Sequence, residues 1–310
     1  IQSSLNLGAL PASLALSADG RYLVVLHYGN FPAEPPYTPS NLLTVLALDS
    51  NQRQTFQLGS PPLGVAFGID NRAFIVTKDE FLLLDPETGA TQVLDTVKGV
   101  TSKELPVPPA TFPTDIIRAS VAASGDGMWV VGIAELGAEN LTLRFTYNVN
   151  TRQIIRISGL SEPPLGPRAI SVSRDGSVFA TGWVLYSAGR PVAQFRNAAG
   201  TLAVGTVAVD PDKRAIYAQI PEVKPTEVPP EPQCAIVGGA LVCVTPAGTV
   251  VKPVVSGPSV LLVADADNLT IRERLRLPEN LAGKAVLSAN GEVMYAVSSS
   301  GLAILPVGTL

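Results

Sequence analysis

Residue types that usually carry out chemistry are sparse in this 310-residue sequence. His27 is the only histidine, so a multi-histidine metal site is impossible and a Ser-His-Asp arrangement would rest on that one side chain. It ends the apolar run Tyr22-Leu-Val-Val-Leu26, where a rim histidine or a hydrogen-bonded core histidine is the ordinary occupant. No G-x-S-x-G elbow occurs. Asp210-Pro-Asp212 and Asp265-Ala-Asp267-Asn268 resemble halves of calcium loops, but each lacks the glycine at the sixth position and the bidentate glutamate at the twelfth, and both read as hairpin turns. Gly125-Asp126-Gly127 runs into a strand pattern rather than a phosphate-facing helix. Neither a metal nor a cofactor is expected.

Cations offer more. Arg118, Arg168 and Lys284, with Asp115 just upstream of Arg118, are the candidate ligand-binding residues. Guanidinium groups bind carboxylate or phosphate bidentately, so together these side chains could recognise an anion. The competing reading is that they pair with Asp115, with Glu104 or with loop carbonyls, or face solvent.

Cys234 and Cys243 are the only cysteines, too few for a thiolate metal cluster. A two-residue turn at Gly238-Gly239 would pair Val237 with Ala240 and, counting outward, Cys234 with Cys243. A cross-strand disulfide or two buried thiols would satisfy that spacing. The disulfide would imply an oxidising, extracytoplasmic compartment.

The elements that must position these residues are read from an internal repeat. Six turns share a pattern: Ser17-Ala-Asp19-Gly20, Gly68-Ile-Asp70-Asn71, Ser124-Gly-Asp126-Gly127, Ser173-Arg-Asp175-Gly176, Asp210-Pro-Asp212-Lys213 and Ser288-Ala-Asn290-Gly291. They recur 51, 56, 49, 37 and 78 residues apart, the last interval holding an insertion, against roughly 40 to 50 for one four-stranded propeller blade. Strands flank each turn, and Phe81-Leu-Leu-Leu-Asp85, Pro86 to Gly89 and Thr91-Gln-Val-Leu94 show a third and fourth strand most clearly. The expected fold is therefore an all-β propeller forming a single domain over residues 1–310. Its six four-stranded blades fall at about 9–58, 59–110, 111–162, 163–202, 203–280 with an insertion at 220–258, and 281–310 plus 1–8. The last unit has three strands, and Gln2 to Leu7 is expected to supply its fourth, closing the ring. Seven blades is the alternative, and would need 220–258 to form a sheet of its own.

Loop lengths polarise such a ring. The 1–2 and 3–4 turns are short, whereas His27 to Asn41, Gly99 to Pro113, Ser161 to Pro167 and Pro221 to Pro258 fall on the opposite face, where binding is expected. Pro221 to Pro232 holds five prolines in twelve residues and favours an extended polyproline excursion. Aligned on their turns, the first strands bring Arg118, Arg168 and Lys284 near the channel mouth on the long-loop face.

Composition agrees with many short strands: 46% hydrophobic, 15% charged, 27 Gly and 27 Pro. A net charge of -4 provides no general attraction for nucleic acid or an anionic membrane surface. No apolar run reaches the roughly 18 to 20 residues of a membrane span. Ile1 begins without a basic n-region, so the chain is expected to be soluble and already processed.

Val172-Ser-Arg-Asp-Gly-Ser-Val-Phe-Ala-Thr-Gly-Trp183, Thr206 through Ala218 and Leu261-Leu-Val-Ala-Asp265 through Gly308 resemble bacterial secreted propellers of the YVTN repeat type over nearly the whole chain. That resemblance implies an exported protein without an assigned activity, and a domain boundary near Val307 to Leu310 with an immunoglobulin-like domain beyond it. The expected function is an extracytoplasmic (periplasmic, cell-surface or secreted) scaffold that presents its long loops to a protein or glycan, binding rather than catalysing. The alternative is a lactonase-type propeller hydrolase with its site at the channel mouth. Gluconolactonase-type relatives hold a divalent cation with Glu, Asp and Asn, whereas the aligned positions here offer cations and small residues.

Overall fold

The computed structural model describes residues 7, 9–29, 39–104, 115–137, 142–160, 170–182, 184–195, 205–210, 212–220, 223–228, 232–237, 240–244, 246–255, 260–288, 290–298 and 300–310. Among them are 27 strands and one short helix.

The repeated turns show why hairpins form where they do. Ser17, Ser124, Ser173 and Ser288 each donate a hydroxyl to the side-chain oxygen two residues on, in Asp19, Asp126, Asp175 and Asn290, at 2.6, 2.6, 2.8 and 2.7 Å. Each also accepts the backbone N–H five residues on, at 2.9 to 3.1 Å. The same Asp or Asn oxygen also accepts a backbone N–H, and the next residue is a glycine with φ of 67 to 73°. Only glycine adopts that left-handed geometry without strain. Asn71 fills the position in the second turn at φ 58°. In the fifth, Asp210 replaces the serine, and its Oδ1 accepts the N–H groups of Asp212 and Lys213, both at 3.0 Å.

Four four-stranded antiparallel sheets follow in chain order. The first comprises β1 (Ser13–Leu16), β2 (Tyr22–Gly29), β3 (Pro39–Ala47) and β4 (Gln52–Gln57). The second is β5 (Pro62–Phe67), β6 (Ala73–Thr77), β7 (Glu80–Leu84) and β8 (Thr91–Thr96), and leads into helix α1 (Val97–Glu104). The third is β9 (Ile116–Ala123), β10 (Trp129–Leu136), β11 (Thr142–Asn148) and β12 (Gln153–Leu160). The fourth is β13 (Ile170–Val172), β14 (Val178–Thr181), β15 (Val184–Ser187) and β16 (Arg190–Gln194).

The rest of the chain differs. After β17 (Gly205–Asp210) and β18 (Ala215–Ile220) come β19 (Val223–Val228), β20 (Gln233–Val237), β21 (Ala240–Val244) and β22 (Val250–Val255), then β23 (Val260–Asp265) and β24 (Ile271–Arg276). The last strands are β25 (Leu281–Leu287), β26 (Val293–Ser298) and β27 (Gly301–Pro306). The runs β17-β18-β23-β24 and β25-β26-β27 are each antiparallel, but β17 and β25 pair in parallel and fuse them into one seven-stranded sheet.

Between β18 and β23 lies a ribbon of nested antiparallel ladders. Ile220 opposes Val260, Val223 opposes Val255, Val228 opposes Val250, and Cys234 opposes Cys243. This corrects the polyproline expectation: Val223–Val228 is a paired strand, although Pro229 and Pro230 lie outside the described residues. The insertion forms two-stranded ladders rather than one four-stranded sheet.

Successive sheets stack through apolar side chains. Val24, Leu26 and Leu43 pack with Val65 and Ile75 between the first two sheets. Phe74 and Phe81 meet Phe145 and Tyr147 in the next seam, with the Phe74 and Tyr147 rings stacked at 4.6 Å. Val131 and Ile133 meet Phe179 and Tyr186 in the third. Each fully buried large side chain contributes about 1.5–3 kcal/mol. Helix α1 begins in the segment expected to be a Pro-rich loop: Thr96 caps it by accepting the Gly99 N–H at 2.9 Å, and Val97 and Val100 enter the core. On the last sheet one face remains exposed, with Val286, Tyr295, Val297, Leu302 and Ile304 side by side. Most of Gln2 to Leu7, expected to complete that sheet, lies outside the described residues.

Ser124→Ala removes a buried hydroxyl that bridges Asp126 and the Trp129 amide. A loss of about 1–2 kcal/mol in urea unfolding is expected. A change no larger than that of Ala at the exposed Ser50 would show that the turn does not depend on the hydroxyl.

Candidate ligand channel

The first strand of each four-stranded sheet, together with β17 and β25 of the seven-stranded sheet, contributes to one cavity of about 700 Å³. Leu14 of β1, Val65 of β5, Ala122 of β9, Ile170 of β13, Ala208 of β17 and Val286 of β25 all line it. First strands converging on one axis follow from the seams: each sheet packs face to face with the next, so the inner edges crowd together.

Among the described residues, one amine projects into this largely apolar lumen. The β25–β26 ladder runs from Leu281 opposite Ser298 to Ala282 opposite Val297, then resumes with Val286 opposite Tyr295. Gly283, Lys284 and Ala285 therefore face a single residue, Ala296, which makes a β-bulge that re-aims the side chains it carries. Gly283 has φ of 75°, with nothing within 4 Å of where a Cβ would stand, so backbone conformation rather than crowding requires glycine there. The buried Thr206 hydroxyl donates to the Gly283 carbonyl at 2.7 Å and fixes the bulge against β17. Lys284, the next residue, lines the cavity.

Its setting is unusual for a lysine. The side chain is exposed to water in the cavity, yet desolvation by the protein around it holds the ammonium below its ordinary range. No described carboxylate forms an ion pair with it. The other charged side chains lining the cavity are Arg174, Asp210 and Asp212, toward the short turns. Arg174 and Asp212 face each other at 3.5 Å. Asp210 Oδ1 is occupied by two backbone amides, while its buried Oδ2 has no hydrogen-bond partner and stands where a Cβ on Gly291 would fall. The arrangement can hold one anionic or carbonyl group on an amine, beside apolar walls.

Of the expected cations, the described residues place Lys284 in the cavity and Arg118 outside it. Arg118 lies on β9, exposed, with Nη1 3.8 Å from Glu135 on β10, and does not line the cavity. Asp115 lies next to Gly137, whose N–H donates to its carbonyl at 3.0 Å. Arg168 lies outside the described residues. Moreover, the lining extends to Gly125, Arg174, Asp212 and Gly291, so the short-turn face, opposite the one where binding is expected, rims the cavity. Loop length misjudged that face because its turns are tight yet carry charged tips.

Cys234 and Cys243 are joined in a disulfide near the tip of the ribbon. His27 is buried, with Nδ1 3.0 Å from the Leu10 carbonyl and Nε2 2.9 Å from Thr44 Oγ1, so both ring nitrogens are engaged in structure. The described residues contain no group of three metal-ligating side chains. Sequence reasoning missed Glu135, Thr206 and Gly283. Counting outward from the turn that pairs Ala123 with Val130 places Glu135 opposite Arg118. No comparable signal marks the bulge.

Because the Lys284 ammonium is desolvated without a partner carboxylate, Lys284→Met is expected to leave the protein at least as stable at pH 7. A lysine whose folded pKa lies below its unfolded value destabilises the fold while charged, and the penalty fades as pH rises through the folded pKa toward the ordinary 10.5. Any gain seen in urea unfolding should shrink at alkaline pH. A clear loss of stability at pH 7 would make Lys284 a structural residue.

No family model and no curated protein sequence matches this chain. Solved structures do resemble it. The β-propeller domain of Myceliophteria thermophila Cps50 (Swd1) shares 12% identity, covering 96% of this chain and 83% of that one, with a TM-score of 0.57. The periplasmic gluconolactonase PpgL of Pseudomonas aeruginosa shares 16% identity, covering 96% and 81%, with a TM-score of 0.54. Together with inner strands converging on one cavity, these likenesses establish the architecture: the chain is an all-β propeller.

Proposed function

We propose that this propeller is an extracytoplasmic binding scaffold whose partner surface, for a protein or glycan, is the long-loop face, with the disulfide-stapled ribbon as its most prominent element. The ribbon carries the reading. It replaces the ordinary connection between β18 and β23, so it leaves the sheet at the end opposite the β17–β18 turn. A two-stranded ribbon is marginal in water by itself. Stapling it near the tip with Cys234–Cys243 keeps an exposed arm in one conformation, and pre-organisation lowers the entropic cost of binding. Proline at the opposed positions Pro225 and Pro253 has no N–H to offer an incoming strand, which suits an arm that must not aggregate along its edge. The disulfide also supports an oxidising compartment. The lactonase-type alternative has less support: among the described residues the channel offers a lysine and an Asp210 whose Oδ1 is already engaged, not a set of carboxylates for a divalent cation.

The proposal includes a single domain of six blades, the seven-stranded sheet being two of them, with the first eight residues completing the last. Exposed apolar side chains on the last sheet, Tyr295, Val297, Leu302 and Ile304, supply a surface for closing the ring. Bacterial origin and kinship with YVTN-type repeats belong to the same reading, as does a further domain beyond Leu310.

Two experiments test this. Replacing residues 221–259 by a short turn should abolish binding on a glycan array or to a cross-linked partner, while the melting temperature changes little; binding that survives the deletion would remove the ribbon from the interface. Deleting residues 1–8 should lower the melting temperature by several degrees, since it leaves the β27 edge open; an unchanged value would end the closure model.

A further inference from the structure

The channel carries an inference independent of the ribbon, resting only on the propeller architecture and the position of Lys284. We propose that the lumen binds a small amphipathic monocarboxylate, with its head group on Lys284 Nζ and its hydrocarbon body along the apolar wall formed by Leu14, Leu16, Val65, Ile170 and Val286.

Three observations converge on this ligand class. The first is that Lys284 is placed by a built device. A bulge, a left-handed Gly283 and the Thr206 hydroxyl on the Gly283 carbonyl combine to turn one amine into the cavity. A strand that merely closed a barrel wall would need none of the three. The second is ion pairing within the cavity. Arg174 is matched by Asp212, and Asp210 has given one oxygen to the backbone of its own turn, so Lys284 is the cation left without a carboxylate among the described lining residues. One negative charge on the ligand can pair with that ammonium, whereas a dianion would leave a second charge against apolar wall and near Asp210 and Asp212. The third is the wall itself. Alanine, valine, leucine and isoleucine dominate the inner strands, which suits a hydrocarbon chain and gives a sugar few hydrogen-bonding partners. A cavity of about 700 Å³ is within the ordinary range for small-molecule sites.

Desolvation adds a thermodynamic signature. The carboxylate favours the charged amine, so its arrival raises the depressed Lys284 pKa, and binding in alkaline buffer takes up a proton. The charged groups that face the same lumen are Arg174 on the β13–β14 turn, Asp210 at the end of β17 and Asp212 on the turn after it; burial is the sole cause acting on the lysine.

The test uses the whole chain with sodium octanoate as probe and 1-octanol as its uncharged counterpart, in isothermal titration. Octanoate should bind more tightly than octanol. Lys284→Met should weaken octanoate about tenfold or more while leaving octanol unchanged, and Lys284→Arg should restore part of the difference. Titrations at alkaline pH in two buffers of different ionisation enthalpy should report proton uptake in the wild type and none in Lys284→Met. Equal affinity for octanoate and octanol, or octanoate binding that survives Lys284→Met, would overturn the proposal; so would Lys284→Met weakening both probes alike, which would mean that the cavity itself had changed. Ribbon deletion leaves these titrations untouched, so failure here and failure of the partner-binding reading are distinguishable.

Discussion

A sheet with apolar residues on both faces cannot stand alone in water, and nearly everything in this molecule follows from how its sheets share those faces. Val24 and Leu26 look toward Val65 and Ile75, Phe74 toward Tyr147, and Ile133 toward Tyr186, each seam handing burial to the next sheet. Stacking about an axis lets an interior sheet satisfy both sides with short connections, because each neighbour in space is also a neighbour in sequence. The turns reinforce it: Asp19 N–H reaches Asn71, Ile69 N–H reaches the Gly127 carbonyl, and Asp126 N–H reaches the Arg174 carbonyl, so successive hairpins are tied at their tips.

Polar groups inside the seams mark where packing alone does not decide. Arg144 is buried with its guanidinium 4.8 Å from the Tyr186 ring; burial pulls its pKa down while the tyrosine opposes the shift. Tyr147, enclosed between the second and third sheets, has its phenol pushed up to about 12, chiefly by desolvation. These groups are fixed by what surrounds them. Lys284 differs in kind, since the backbone deviates from regular geometry to present it, and deviations of that sort concentrate where function requires a side chain to point against the strand's own alternation.

The repeat was readable because its chemistry is local. Ser, Asp and Gly at fixed offsets specify a turn without help from distant residues, so Ser17 to Gly20 and Ser173 to Gly176 announce their hairpins in the sequence. Hairpin counting likewise places Cys234 opposite Cys243, and applied to β9 and β10 it would have paired Arg118 with Glu135. The candidate site was less accessible. An alignment on turns assumes equal residue counts along each first strand, and the bulge at Gly283 breaks that assumption: Lys284 stands level with Val207, not Thr206. The ribbon was hidden by composition, because prolines at Pro225 and Pro253 look like strand breakers until the ladder places them opposite each other.

The parallel pairing of β17 with β25 also has a kinetic meaning. Elsewhere adjoining sheets touch through side chains and isolated main-chain hydrogen bonds, whereas here a ladder of main-chain pairing joins the two. Separating them means breaking a ladder as well as a hydrophobic contact, so amide protons in β17, β18, β25 and β26 should share one opening reaction in hydrogen exchange. The two sheets on either side of the lysine thus open together, as one unit larger than any other sheet among the described residues.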